Sequence, residues 1–176
     1  MDNILNLFLE NPEKEYHVRE IARKLKKSPT TISKFLKRYQ NAGLLLSEKK
    51  LNHLVFKTNT DNINFKFEKI NYNIKKLSFS GLIEHLEKEL NCPEAIGIFG
   101  SYARGEDGKN SDIDIFVICP SKKEIILKKY ENILEKQIQI LILTEKDIEQ
   151  MKKKNPELLN SLINGQIITG NWRLFK

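Results

Sequence analysis

Two acidic residues alternate with two apolar residues in the run Asp112-Ile113-Asp114-Ile115. Side chains on a β-strand point alternately to opposite faces, so this run predicts a strand with both carboxylates on one face and both isoleucines in a core. A second apolar strand, predicted over 95–99, leads directly into Gly100-Ser101. Further helical and strand patterns follow to residue 162, and the second half of the chain is therefore expected to form an α/β unit.

These two motifs suit the chemistry of phosphates and cations. Gly100 lets the backbone come close to a ligand, and the Ser101 hydroxyl with the following N–H groups can hold phosphate oxygens at a helix start. Asp112 and Asp114 repel each other unless a cation lies between them, and Mg²⁺ prefers carboxylate oxygens together with phosphates and water. Two such ions, about 3.5 to 4 Å apart, could stabilise an in-line displacement. Taken singly, a Gly-Ser pair is also an ordinary turn, and Asp-x-Asp is often an exposed strand edge.

The combination resembles the DNA polymerase β-like nucleotidyltransferase superfamily, and most closely the minimal nucleotidyltransferases of prokaryotes. The resemblance covers about residues 79–143 and rests on a strand, Gly100-Ser101, a ten-residue spacer and the pair Asp112 and Asp114. It implies transfer of a nucleoside monophosphate from an NTP to an acceptor hydroxyl. Gly100 and Ser101 would bind the triphosphate, and Asp112 and Asp114 would be the catalytic Mg²⁺ ligands. Arg104, in the spacer, is either a bidentate phosphate contact or a surface cation.

The superfamily normally adds a third carboxylate from the next strand of the sheet. Here that strand is predicted over 137–143, and the matching position is Gln139. Glutamine is neutral and serves neither as a general base nor as an anionic metal ligand. Two interpretations therefore stay open, a nucleotidyltransferase with altered catalysis and a non-catalytic transcription regulator whose second domain binds nucleotide or a partner.

The first third of the chain predicts a winged helix. Apolar residues at helical spacing predict helices over 4–8 and 18–25, and Ser28-Pro29 begins a third that ends at Gly43. Two short strands over 44–47 and 53–57 are expected to be joined by the turn Glu48-Lys49-Lys50. Residues 2–57 resemble winged helix-turn-helix transcription regulators. The expected fold class is α/β (α+β), with a winged helix-turn-helix followed by a polymerase β-like fold around a small mixed sheet.

Charge supports a nucleic-acid partner for this segment. Residues 1–60 carry twelve Lys and Arg against six Asp and Glu. A basic face attracts phosphate backbones, and hydroxyls and cations near the start of the second helix of a helix-turn-helix suit base edges. Winged helices also dock proteins, which stays the alternative. The expected DNA contacts are Thr30, Thr31, Ser33, Lys34, Lys37, Arg38, Lys49 and Lys50.

The domain boundaries follow from these patterns. We expect a winged helix-turn-helix over 1–60, an irregular linker over 61–78, and a nucleotidyltransferase domain over 79–176. Two cysteines, Cys92 and Cys119, are too few for a disulfide framework, which favours a reducing, cytoplasmic location. No apolar stretch is long enough to span a bilayer. Trp172 and Phe175 are expected to fasten the C-terminal tail or to meet a partner.

The expected partners are DNA, through residues 1–60, and an NTP. The resemblance to minimal nucleotidyltransferases also implies a HEPN-type partner protein, a tyrosine of which would be the acceptor, with the chain acting as antitoxin. An RNA end is a further acceptor class. Winged-helix proteins commonly bind DNA as dimers, so a homodimer is a further expectation.

Overall fold

A computed structural model of the chain describes residues 3–50 and 53–174, so Phe175 lies outside the described residues. The chain forms two compact units, Met1–Tyr72 and Asn73–Lys176. The first unit contains three helices followed by a hairpin, with one short strand between the first two helices. Its elements are α1 (Asn3–Glu10), β1 (Tyr16–His17), α2 (Val18–Leu25), α3 (Pro29–Asn41), β2 (Leu45–Lys50) and β3 (His53–Thr58).

The start of α3 has the cap that the sequence predicts. The Ser28 side chain accepts a hydrogen bond from the Thr31 backbone N–H at 3.1 Å, and Pro29 occupies the first turn, where its missing N–H costs nothing. Ile32 and Leu36 are fully buried against Ile21 and Phe8. The helix-turn-helix is thus held by one continuous core.

The predicted wing turn is wrong. Glu48, Lys49 and Lys50 belong to β2, which pairs antiparallel with β3 so that Lys50 lies opposite His53. The strand order is β1-β3-β2, so β2 is an edge strand, and charged residues are common on exposed edges. The connection between the two strands falls at residues 51–52, outside the described residues.

The predicted irregular linker is also wrong, because residues Ile63–Phe79 form a helix, α4. Phe65, Lys69 and Tyr72 share one buried face of it. The Lys69 ammonium donates to the Leu9 carbonyl at 2.6 Å, and the Tyr72 hydroxyl donates to Glu10 at 2.7 Å. Because Lys69 interrupts the apolar residues on this face, the spacing typical of an amphipathic helix is not evident in the sequence. The boundary between the two units falls inside α4.

The second unit is built on a four-stranded mixed sheet of order β6-β5-β4-β7, as the fold class predicts. Strand β4 is antiparallel to β5 and β7, and β5 is parallel to β6. The sequence patterns do not predict the strand Gln166–Gly170, whereas the helix start expected at Gly100-Ser101 is present. The elements are α5 (Leu82–Glu89), β4 (Ala95–Phe99), α6 (Gly100–Arg104), β5 (Ile113–Ile118), α7 (Lys128–Leu134), β6 (Ile138–Leu143), α8 (Glu145–Lys154), α9 (Pro156–Ile163) and β7 (Gln166–Gly170).

Both faces of this sheet are covered. One face packs on residues such as Leu86 and Leu134, and the other packs on Ile148 and Leu162 together with Trp172, which contacts the Phe116 ring. Cys119 is buried, Cys92 is exposed, and neither forms a disulfide. Among residues 3–50 and 53–174, no helix is both long and apolar enough to cross a membrane.

Candidate functional site

The antiparallel pairing of β4 with β5 assembles the candidate site. Phe99, the last residue of β4, lies opposite Asp114, so Gly100 follows directly beside the acidic pair. Ile113 and Ile115 are fully buried, whereas Asp112 and Asp114 are half-buried. The alternation predicted from sequence is therefore present at the edge of the core.

Gly100 has two reasons to be glycine. Its φ of +68° lies in the left-handed region that residues with a Cβ rarely adopt. A Cβ at this position would also overlap the carboxylate of Asp114. The glycine thus lets the backbone approach Asp114 itself, a closer constraint than the approach to a ligand that the sequence suggests. Ser101 follows in α6 with a partly exposed side chain.

The two carboxylates interact electrostatically. Burial raises the pKa of Asp114 above its ordinary value, and the charge of Asp112 raises it further. The Arg104 guanidinium acts in the opposite direction and lowers the pKa of Asp114. A bound cation would relieve the repulsion between the carboxylates.

Arg104 lies at the end of α6 and is engaged by its own loop. Its Nε donates to Glu106 Oε2 at 2.8 Å, and its side chain is 55% exposed. The guanidinium retains further donors, since it carries five N–H groups. Arg104 is therefore near enough to the acidic pair to influence Asp114, and it is also paired with the carboxylate of Glu106.

Gln139 belongs to the same cluster. Strand β6 lies parallel to β5 with Gln139 in register with Asp114, and the Gln139 Nε2 donates a 2.7 Å hydrogen bond to Asp112 Oδ2. In the part of the chain that the structure describes, no group of three or more His, Cys, Asp or Glu side chains is placed to hold a metal ion. The site therefore presents two carboxylates, one of them bound by an amide.

The loop between α6 and β5 is fastened by buried polar groups that the sequence patterns did not reveal. Asp107 is fully buried and accepts a hydrogen bond from Asn73 Nδ2 at 2.6 Å. The Lys136 ammonium lies 3.4 Å from Asp107 Oδ2 and donates to the carbonyls of Gly108 and Ser111 at 2.6 and 3.0 Å. These partners come from distant parts of the chain, and the loop alone reads as a string of turn-forming residues. The cluster holds the segment that leads into Asp112.

The expected DNA contacts lie mainly on one helix. All six of those on α3 are exposed, as are Lys49 and Lys50 on β2. Two of the eight already have protein partners. The Thr31 hydroxyl lies 2.8 Å from the Ser28 hydroxyl in the helix cap, and Lys50 forms an ion pair with Glu15 at 2.7 Å. The other cations of the set are Lys34, Lys37 and Arg38 on α3 and Lys49 on β2.

Comparisons with known proteins agree with both units. Residues 80–165 match the model of the family described as nucleotidyltransferase domain, and residues 3–47 match that described as bacterial regulatory protein, arsR family. A crystal structure of a protein from Sulfolobus solfataricus assigned to the nucleotidyltransferases is 22% identical, with a TM-score of 0.32, over 48% of this chain and 78% of that one, a likeness too weak to add to the family matches. No curated protein matches the chain significantly. The chain thus joins an N-terminal helix-turn-helix domain of the ArsR type to a C-terminal nucleotidyltransferase domain.

Proposed function

We propose that the C-terminal domain transfers a nucleoside monophosphate from an NTP to an acceptor hydroxyl with the help of Mg²⁺. The observation that carries this proposal is the placement of Asp112 and Asp114 beside Gly100 and Ser101 at the start of α6, within a segment matched by the nucleotidyltransferase family model. Two half-buried carboxylates, of which Asp112 raises the pKa of Asp114, fit a divalent cation. In the bound state Mg²⁺ would neutralise phosphate charge and polarise the phosphoryl group.

The residues of the chain have distinct roles in this proposal. Asp112 and Asp114 hold the cation and so orient the triphosphate. Gly100 and Ser101 bind phosphate oxygens, and Arg104 adds a positive charge from α6. Asp107 and Lys136 hold the spacer loop, which keeps Asp112 in position immediately before β5.

Gln139 supports a second candidate function. We interpret it as standing where the superfamily has its third carboxylate, and its amide is hydrogen-bonded to Asp112. An amide cannot accept the proton of an acceptor hydroxyl as a carboxylate can. On this alternative the domain binds nucleotide or a partner protein without turnover, and the chain acts as a DNA-binding regulator.

The partners of the two domains complete the proposal. DNA would bind through the exposed face of α3, with Lys49 and Lys50 beside it. The resemblance to minimal nucleotidyltransferases supports a HEPN-type partner protein in the cytoplasm as the acceptor, and the chain would then be an antitoxin that regulates its own synthesis. An RNA end is the competing acceptor class.

The test is a label-transfer assay with α-labelled NTPs and Mg²⁺, with cell lysate as the source of acceptors. Label on a discrete acceptor in the native protein, absent in Asp112→Asn/Asp114→Asn, supports transfer. The amide double variant keeps side-chain size, so a thermal unfolding curve like that of the native protein shows that the loss is chemical. Mg²⁺-dependent NTP binding with no transfer to any acceptor supports the regulator alternative instead.

A further inference from the structure

Strand β6 forms one edge of the C-terminal sheet. At its two ends the Ile113 N–H donates to the Gln137 carbonyl at 2.9 Å, and the Cys119 N–H donates to the Leu143 carbonyl at 3.0 Å. In a parallel ladder, alternate residues of a strand bond to the same neighbour. The N–H and C=O groups of Gln139 and Leu141 therefore point to β5, and those of Ile138, Ile140 and Ile142 point away from the sheet.

Only some of the outward N–H and C=O groups of β6 have a hydrogen-bond partner in the part of the chain that the structure describes. The Ile138 N–H donates to Glu131 Oε1 at 3.3 Å. For Ile140 and Ile142, residues 3–50 and 53–174 supply no hydrogen-bond partner to the outward groups. A row of such groups is a template for another strand.

This edge also lacks the usual devices that prevent strand addition. Protected edges carry lysine, proline or a bulge. From Gln137 to Leu143 the sequence contains no charged residue and no proline, and the pairing with β5 runs without a register shift. The side chains of Ile140, Leu141 and Ile142 are all partly exposed. The edge is therefore open, neutral and apolar.

We propose that β6 pairs antiparallel with β6 of a second copy of this chain, about a two-fold axis at Leu141. The run Ile140-Leu141-Ile142 has the same sequence in both directions, so Ile140 of one copy faces Ile142 of the other, and the outward N–H and C=O groups of these two residues pair across the axis. A two-fold interface must be complementary to itself, and a neutral palindrome meets that condition without opposing like charges. A two-fold dimer also suits the helix-turn-helix domain, since dimers read paired half-sites.

Disulfide trapping tests the register. At the axis the two Leu141 residues form a non-hydrogen-bonded pair with Cα atoms about 4.5 Å apart, which is within the range a disulfide spans. In a Cys92→Ser background, oxidised Leu141→Cys is expected to run at twice the 20.6 kDa mass of the chain on a non-reducing gel. Gln139→Cys is the matched control, because residue 139 faces Leu143 of the second copy and should stay at single mass.

Proline substitution tests the edge in solution. Ile140→Pro removes an outward N–H and leaves the bonds to β5 intact, as proline on an edge strand allows. The mass of the full-length protein by light scattering should therefore halve, with an unchanged far-ultraviolet circular dichroism spectrum. A native protein that stays monomeric at every concentration overturns the proposal, as does a dimer that survives Ile140→Pro or a Leu141→Cys yield no higher than that of Gln139→Cys. If β6 instead pairs with a strand of a different protein, the purified native protein would be monomeric at every concentration.

Discussion

Gln139, on β6, donates a 2.7 Å hydrogen bond to Asp112, the residue immediately before the parallel strand β5. The bond orients one oxygen of the acidic pair and leaves the cluster with an amide where a further charge would fit. It also gives Asp112 a partner when no cation is bound. The chemistry of the site therefore depends on which group occupies position 139.

Replacing Gln139 with glutamate should strengthen cation binding. Three neighbouring carboxylates repel one another, so Mg²⁺ or Mn²⁺ should raise the unfolding temperature of Gln139→Glu more than that of the native protein. If the domain transfers nucleotides, the rate should rise by about 10²-fold, the lower end of what a general base contributes. Gln139→Met is the control, since it keeps length and loses the hydrogen bond. Equal responses of the Glu and Met variants would show that position 139 does not act on a cation site.

Gly100→Ala should disrupt the site more than its backbone conformation alone explains. Gly81 provides the matched comparison, because its φ is +77° but a Cβ there meets no atom within 4 Å. Gly81→Ala should cost roughly 1–2 kcal/mol in free energy of unfolding, the cost of the left-handed conformation. Gly100→Ala should cost more, because the methyl group displaces Asp114, and it should abolish Mg²⁺-dependent NTP binding. Denaturant titration and calorimetry measure the two effects, and similar losses in both variants would contradict the overlap.

The buried pair Asp107 and Lys136 should stabilise the fold as well as the loop. Asp107→Asn keeps the size of the side chain and leaves the Lys136 ammonium, which is 11% exposed, without its opposite charge. Removing one partner of a buried ion pair costs about 3–5 kcal/mol. Lys128→Met, which breaks an exposed pair with Glu131, should cost about 1 kcal/mol or less. Urea unfolding measures the free energy of unfolding of both variants. Comparable decreases in the two variants would mean that Asp107 stabilises the fold only through its hydrogen bonds and not through its charge.

The features predicted correctly from the sequence are those that depend on residues close together in the chain. Ser28-Pro29 fixed the start of α3, and the alternation at Asp112 and Asp114 gave the orientation of β5, because capping and strand periodicity depend on near neighbours in sequence. Gln139 was placed on the strand beside the acids, and the structure has it there. Its equivalence to a third carboxylate stays a prediction.

Long-range contacts account for what was missed. The sequence predicts an irregular linker where α4 forms because Lys69 interrupts the apolar stripe, and the buried ammonium of that lysine donates to the carbonyl of Leu9, which is far away in the sequence. Asp107 has no local signal, since its partners are Asn73 and Lys136. Strand β7 forms because β4 offers a free edge, which a sequence window does not contain.

DNA binding through α3 should be lost in steps as its cations are removed. Lys34→Ala and Lys37→Ala should each weaken binding to all duplex sequences and reduce the slope of log K against log salt by about 1. Fluorescence anisotropy at several salt concentrations measures the slope. Lys153→Ala, an exposed lysine of α8 in the other unit, is the control. An unchanged slope in both α3 variants would favour the protein-docking interpretation of the winged helix.

Helix α8 should lose stability in acid through one carboxylate. Asp147 accepts hydrogen bonds from the Thr144 N–H and hydroxyl at 2.7 and 2.6 Å, and Lys122 lies 2.9 Å from its other oxygen. The Thr144 hydrogen bond, followed by that of Lys122, lowers the pKa of Asp147 to about 2. Because the folded pKa lies below the unfolded value of about 3.9, the stabilisation is complete above that pH and disappears as the pH falls towards 2.

Comparison of the native protein with Asp147→Asn by thermal and urea unfolding from neutral pH to pH 2 tests this linkage. The difference in free energy of unfolding should be about 1 kcal/mol at neutral pH, as for other helix caps, and should shrink to near zero through the window between about pH 4 and 2. Lys122→Met removes the ion pair but keeps the Thr144 cap, so its loss at neutral pH should be the smaller one. A difference between the native protein and Asp147→Asn that is constant down to pH 2 would mean that the shape of the side chain, and not its charge, stabilises the start of α8.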